Sequence, residues 1–368
     1  MKGTTVVFRC DASIPMGTGH VMRCLTLAGG LRARGAECHF ICREQLGDLC
    51  AEIERQDFLV HRLRPAANAE QASSGYAAWL GATQAEDVRD SLPILTRVNA
   101  QWLIVDHYAI DHGWHRIAKK MMSGLRILVI DDLANRTHCC DLLLDQNLGR
   151  QPLDYAHLVP DACETLLGSR FALIRSEFTE KRAESLRRRQ HERPHRVLIS
   201  MGGTDPGNVT GALLEALKEL KSDQPLAFDV ILGAHSPWQA EVRASVESMP
   251  WPTTLSIGVS DMANWMMRAD LAIGAAGGTS WERCCMGLPV VLLILADNQS
   301  RGALALEAAG CAALLENNDD LFRTLPLLIK QLLSGSKLAS MSLSASSVCD
   351  GQGVKTVIAR MEALNGAR

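Results

Sequence analysis

Short β-branched apolar runs alternate along this chain with longer stretches of helical period, the pattern of parallel strands connected by helices. The first half supplies Val6-Val7-Phe8, His39-Phe40-Ile41, Trp102 to Val105, Ile127 to Ile130 and Leu142-Leu143-Leu144. The second half restarts with Val197-Leu198-Ile199 and continues through Phe228 to Ile231, Leu255-Ser256-Ile257, Leu271-Ala272-Ile273 and Val290 to Leu293. An α/β chain of two Rossmann-like, doubly wound domains is expected. Residues 1–175 form the first, 176–196 a charged helix and linker, and 197–368 the second, with Pro194 preceding the new first strand. Two such sheets facing a central cleft would put their strand C-termini around one crevice, where open α/β sheets bind ligands. Chemistry is therefore expected in loops that follow strands.

Composition narrows the function classes. With 368 residues, 47% of them hydrophobic and 21% charged, the chain has enough apolar material for about two packed domains. A net charge of −3 gives no general attraction to nucleic acid or anionic membranes. The basic run from Lys181 to Arg196 also carries Glu184 and Glu192, so it reads as a solvated helix. The 12 cysteines are scattered from Cys10 to Cys349, often inside apolar runs, which suits buried free thiols better than disulfides or zinc. The longest apolar run, Leu288 to Ala296, falls well short of the roughly 20 residues of a membrane span. Val6-Val7-Phe8 is too short for the core of a signal peptide, so a cytoplasmic location is expected; a monomer without metal or cofactor is a separate expectation.

Candidate chemistry starts after the first strand, where Ile14 to Gly19 leads into a helix beginning near His20. Gly17 and Gly19 allow close backbone approach to a ligand. His20 falls in the first helical turn, where the dipole's positive end disfavours a further cation. It reads either as a general base or as a surface or capping histidine. A dinucleotide fingerprint is weakened by Met22, which occupies the third glycine's place.

In the second half, Gly202-Gly203-Thr204 follows a strand and Asn208 stands near the next helix start, which reads as anion binding or as a plain turn with an N-cap. Gly277-Gly278-Thr279-Ser280 leads into a helix holding Glu282. Its backbone N–H groups suit a diphosphate, and Glu282 suits ribose hydroxyls. Alternatively Thr279 to Glu282 forms a capping box. Asp106 and Tyr108 in the first domain, and Gln299 in the second, also follow strands. Asp106 and Tyr108 would orient a sugar or a water, unless Asp106 simply caps the next helix.

Taken in order, Gly17 to Cys24, Asp106-His107-Tyr108, Ile130-Asp131-Asp132, Leu144 to Asn147, Ala172 to Phe178 and Met201 to Asp205 resemble the UDP-sugar hydrolases of pseudaminic acid biosynthesis, enzymes of the glycosyltransferase-B structural class. The resemblance spans nearly the whole chain. It implies inverting, metal-independent hydrolysis of UDP-2,4-diacetamido-2,4,6-trideoxy-β-L-altropyranose to UDP and free sugar. His20 would be the general base, Asn208 and Glu282 contacts to the nucleotide sugar, and Gly277-Gly278 the diphosphate loop. Phe171 stands where tyrosine is common in that family, and Trp281 precedes Glu282 where a smaller residue is expected, altering the fit around the ribose or packing inward. The alternatives are a glycosyltransferase using a UDP-sugar donor, a hydrolysing sugar-nucleotide epimerase, and a sugar-nucleotide-binding protein without catalysis.

Overall fold

A computed structural model describes residues 1–65, 75–191, 194–203, 205–222, 224–315, 320–334 and 336–366. Thr204 lies outside the described residues. The chain divides into two compact units, Met1–Leu173 with Gln352–Arg368, and Ile174–Gly351.

Among the described residues unit 1 is built on seven strands: β1 (Thr5–Cys10), β2 (Glu37–Arg43), β3 (Leu59–Leu63), β4 (Trp102–Asp106), β5 (Arg126–Ile130), β6 (Leu142–Asp145) and β7 (Glu164–Leu167). All pair in parallel, in the order β3-β2-β1-β4-β5-β6-β7. Helices α1 (Gly19–Ala33), α2 (Cys50–Arg55), α3 (Gln84–Arg97) and α4 (His112–Met121) supply crossovers. Val6, Val7, Phe8, Leu103, Ile104 and Leu128 are fully buried, as expected of parallel strands covered on both faces. The strand order reverses between β1 and β4, and Cys10 pairs with Asp106 there. The loop after β1 and the end of β4 therefore emerge side by side at the switch point.

Unit 2 repeats the plan with β8 (Arg196–Ser200), β9 (Ala227–Leu232), β10 (Thr253–Ile257), β11 (Leu271–Ala275), β12 (Val290–Leu293) and β13 (Ala312–Leu315), in parallel order β10-β9-β8-β11-β12-β13. Its helices are α5 (Ser176–His191), α6 (Val209–Leu217), α7 (Gln239–Glu247), α8 (Met262–Arg268), α9 (Thr279–Cys285), α10 (Ser300–Ala308), α11 (Leu321–Leu333) and α12 (Lys337–Val348). Here the switch falls between β8 and β11, so the Gly202-Gly203 loop and the Gly274–Thr279 loop lie together.

Two features differ from the sequence expectation. First, the helix expected within 176–196 forms as α5 but is not simply a solvated one, because it belongs to unit 2 and its arginines reach the ends of neighbouring helices. Arg182 donates to the carbonyls of Cys285, of Cys349 (3.0 Å) and of Ser346 (2.7 Å), and Arg189 to that of Met266 (2.7 Å). Arg188 pairs with Asp270 at 2.8 Å. Carbonyls in the last turn of a helix lack intrahelical donors, and cations there also meet the negative end of the dipole. Second, the C-terminal part of 197–368 does not stay with unit 2. Helix α13 (Gly353–Gly366) packs on unit 1, burying Val357, Ile358 and Met361 in the core that holds Val6 and Phe8. A Cβ on Gly353 would overlap the Ala172 carbonyl, and one on Gly30 of α1 would collide with Val354 and Ile358.

Candidate active site

Helix α1 carries His20, Arg23 and Cys24 at positions i, i+3 and i+4, so all three side chains share one face. That face meets Asp106 at the end of β4. His20 Nδ1 lies 2.6 Å from Asp106 Oδ1, and both side chains are buried. A carboxylate can only accept, so Nδ1 carries a proton, and in the neutral imidazole Nε2 keeps its lone pair. Among the described residues no hydrogen bond reaches Nε2. The histidine of the first turn is thus not a capping residue: Thr18 is the N-cap, and His20 points at the switch.

Arg23 holds the same carboxylate by Nε (2.6 Å) and an Nη (2.7 Å), and with its remaining donors takes Asp132 at 3.0 and 2.8 Å. Burial alone would raise the Asp106 carboxyl, but Arg23 and His20 outweigh it and hold it well below the usual carboxylate range. The Cys24 thiol, pushed up to about 11 by burial, stays protonated and lies 3.6 Å from Asp106 Oδ2. Asp106 does not cap the next helix; Asp111 caps α4, accepting from Gly113 N at 2.8 Å.

Tyr108 donates its hydroxyl to Asp132 at 2.6 Å, and its ring meets His20 edge-on with centroids 4.6 Å apart. Trp79 and Tyr76, from a 3-10 helix at Gly75–Leu80, extend this cluster: Tyr76 lies 5.0 Å from the Tyr108 ring and Trp79 6.4 Å from His20. Gly17, at φ +77°, and Gly19 border the histidine, and an added Cβ at either would meet nothing within 4 Å. The space beside them is open.

Behind Asp132 the polar network continues. Asn147 donates to Asp132 (3.1 Å) and to Asp145 (2.8 Å), and Tyr155 donates to Asp145 (2.8 Å) or Asp131 (2.9 Å). Burial and the charge of Asp132 push the Asp145 carboxyl up to about 6. Asp131 and Asp11 move the other way. Burial opposes the shift in both, yet His138 and Arg136 hold Asp131, and Arg9 and His107 hold Asp11, well below the usual range.

In unit 2 the capping-box alternative for Glu282 is not realised. The N-cap of α9 is Gly278, without a side-chain bond, and Glu282 instead accepts from Arg175 Nε at 2.9 Å. Gly277 and Gly278 leave open space where a side chain would stand, and Thr279 is half-buried. Ser280 is buried, with no partner for its hydroxyl among the described residues. Trp281 packs inward, 4% exposed. Arg283 lies under the loop, where a Cβ on Gly274 would overlap its guanidinium, and donates to the Ala275 carbonyl at 3.0 Å. Burial brings it down to about 10. Asn208 is the left-handed N-cap of α6 (φ +50°), accepting from Gly211 N at 3.2 Å. Gly203 packs against Gly233, where an added Cβ would overlap the Gly203 carbonyl oxygen. Gln299 turns back to accept from Leu295 N at 3.0 Å.

The structure therefore brings His20, Asp106 and Tyr108 together in unit 1, and gathers Gly277 to Ser280 with Glu282 in unit 2. Sequence reasoning missed Arg23, Asp132, Arg175 and the Tyr76–Trp79 pair. The helical spacing of His20, Arg23 and Cys24 was the available signal for the first. Tyr76 and Trp79 had none, because their place depends on the packing of a non-repetitive segment.

Residues 197–359 match the glycosyltransferase family 28 C-terminal domain. The UDP-2,4-diacetamido-2,4,6-trideoxy-β-L-altropyranose hydrolase of Campylobacter jejuni is 30% identical over 216 residues, covering 59% of this chain and 66% of the relative. A UDP-N-acetylglucosamine–N-acetylmuramyl-(pentapeptide) pyrophosphoryl-undecaprenol N-acetylglucosamine transferase of Xylella fastidiosa is 30% identical over 146 residues, 38% of this chain and 40% of the relative. The chain thus spans two thirds or less of the length of these curated relatives. Among solved structures, MurG of Acinetobacter baumannii superposes with a TM-score of 0.68 at 17% identity, covering 98% of this chain and 99% of that one. The fold is of the glycosyltransferase-B class. No helix among the described residues is long and apolar enough to cross a membrane.

Proposed function

We propose that this chain hydrolyses a UDP-sugar at its anomeric carbon, with His20 as general base. The observation that carries the reading is the His20–Asp106 pair at 2.6 Å, which leaves Nε2 as the acceptor at the sheet's switch point. Nε2 takes a proton from water, the water oxygen attacks the anomeric carbon from the face opposite the leaving group, and the bond from that carbon to the diphosphate oxygen breaks. UDP departs with the electron pair, and the released sugar has inverted configuration.

Unit 2 holds the nucleotide in this scheme. Backbone donors at Gly203, Gly277 and Gly278, with the hydroxyls of Thr279 and Ser280, meet the diphosphate, and Glu282 accepts from the ribose. Thr204, Asn208 and Gln299 complete the proposed contacts, and Gly17, Gly19 and Tyr108 border the sugar. Asp106 acts through His20, since its oxygens are engaged by His20 and Arg23. UDP-2,4-diacetamido-2,4,6-trideoxy-β-L-altropyranose is the proposed substrate, supported by the 30% identity to the Campylobacter jejuni hydrolase. A second reading, transfer of the sugar to an acceptor, is favoured by the match of 197–359 to a glycosyltransferase domain.

The test incubates the protein with that UDP-sugar in ¹⁸O-labelled water, with EDTA and no acceptor, followed by mass spectrometry. Label in the free sugar supports attack at the anomeric carbon. Label in UDP indicates attack at phosphorus and overturns the mechanism. Turnover that requires an added acceptor establishes the second reading.

A further inference from the structure

The clamp behind the candidate base carries an unbalanced charge. Arg23 is shared between two carboxylates, Asp106 and Asp132, each bound through two guanidinium contacts. The carboxylate partners of the neighbouring cations lie elsewhere: Arg136 pairs with Asp131 at 2.7 Å, and Arg150 pairs with Asp145 while donating only to the backbone carbonyl of Asp132. With His20 neutral, the group of Asp106, Asp132 and Arg23 therefore holds one negative charge more than it balances. A proton arriving on His20 neutralises it.

We propose that Arg23 and Asp132 are positioning residues that act through Asp106: Arg23 fixes the carboxylate that orients His20, and Asp132 supplies the surplus negative charge that stabilises the imidazolium formed as water is deprotonated. This rests on the reading of His20 as general base. The side chains are nearly buried, 12% exposed for Arg23 and 13% for Asp132, so solvent screens the arrangement only weakly. The same carboxylate reaches His20 by a second route, because Tyr108 donates to Asp132 while its ring edge packs on the imidazole. Without Asp132, Arg23 would direct its whole charge at Asp106, and the carboxylate would support the imidazolium less.

The groups facing His20 are Arg23 on its own helix, Asp106, His107 and Tyr108 from the end of β4 and its loop, and Trp79 from the 3-10 helix. Only Asp106 among these is an anion in direct contact, so any loss of its share to Arg23 falls on His20.

The experiment compares wild type with Asp132→Asn, which keeps shape and removes charge, and with Arg23→Lys, which keeps charge and loses the fork that spans two carboxylates. Imidazole signals of the ¹⁵N-histidine-labelled protein, with His20 assigned from the His20→Asn spectrum, are followed against pH without substrate. In Asp132→Asn the His20 titration midpoint is expected to move to lower pH. With the UDP-sugar, kcat should fall roughly tenfold or more, short of the ~10²–10⁴-fold owed to the base itself, while KM stays nearly constant. The acid limb of the kcat profile should shift with the midpoint. A coincident midpoint, or an unchanged kcat in both variants, overturns the proposal. If Asp132→Asn does not fold, judged by near-ultraviolet circular dichroism, Arg23→Lys carries the kinetic test. Absence of wild-type turnover would sink the proposed function alone, since the titration reads the clamp without substrate.

Discussion

Replacing Asp106 with asparagine tests the central pair most directly. The carboxylate receives His20 Nδ1 (2.6 Å) and Arg23 Nη (2.7 Å) on one oxygen, and Arg23 Nε (2.6 Å) on the other. An amide has one oxygen, so one of these positions becomes a donor facing a donor. If the nitrogen turns to His20, the imidazole must accept at Nδ1 and carry its proton on Nε2, which abolishes the base. If it turns to Arg23 Nε, the tautomer survives but the negative charge supporting the imidazolium is gone. Either way the loss approaches that of the base, ~10²–10⁴-fold in kcat or about 2.7–5.5 kcal/mol of barrier. Stability should fall as well. Hydrogen bonds to charged groups are worth ~1.5–3 kcal/mol each, and Arg23 keeps its bonds to Asp132, so a loss of about 2–3 kcal/mol is expected. UDP release under single-turnover conditions gives the rate, and urea unfolding gives the stability. The combined variant Asp106→Asn/His20→Asn is the decisive sample. Residues acting as one unit are strongly non-additive, so it should be hardly slower than His20→Asn alone. A double variant slowed by the product of the two single factors would refute the pairing.

Three further outcomes follow from the same geometry. Ser280→Ala removes a buried hydroxyl that has no partner among the described residues, so thermal stability should hold or rise while UDP affinity falls by about 0.5–1.5 kcal/mol in calorimetry; equal affinity removes Ser280 from the diphosphate site. Glu282→Ala should weaken UDP binding by about 1–3 kcal/mol, and unaltered binding would leave Glu282 only its ion pair with Arg175. Four buried carboxyls should make stability depend on pH. Asp11, Asp106 and Asp131 have folded-state values below the unfolded ~3.9, so their contribution is present above that value and lost as pH falls through the depressed ones. Asp145, raised to about 6, binds its proton more tightly when folded, so its contribution is lost as pH rises from about 4 through 6. Urea midpoints from pH 2 to 4 should show the first slope, and the difference between wild type and Asp145→Asn from pH 4 to 7 isolates the second; a difference that does not change with pH would contradict the placement of Asp145 beside Asp132.

Periodicity revealed much of the scaffold, because buried parallel strands read as continuous apolar runs. The strands it missed are those in which that signal weakens. β3 is interrupted by His61 and Arg62, β7 opens on the polar pair Glu164-Thr165, and β13 begins on two alanines. The loops after β1, β8 and β11 were legible because glycines mark close backbone approach. The partnership of His20 with Asp106 was not, since it arises from the register of β1 against β4, which only tertiary pairing sets. Glu282 shows the converse. The spacing from Thr279 fits a capping box, yet Arg175, far away in sequence, outcompetes the local amide. A charged run read as solvated became a set of helix-end ligands for a related reason: nothing local announces where other helices stop.

The return of helix α13 to unit 1 has a consequence for how the protein is made. The unit begun first is finished last, because about 180 residues of unit 2 separate its two pieces. At ~5–20 residues per second the ribosome needs roughly 10–40 s to cross that interval. Meanwhile the face of α1 around Gly30, later covered by Val354 and Ile358, has no cover from the chain itself. Unit 2 can close within that window, whereas the nascent unit 1 presents an apolar surface to any chaperone that holds such faces. Slowing translation late in the message should therefore prolong the vulnerability of the half that was synthesised first.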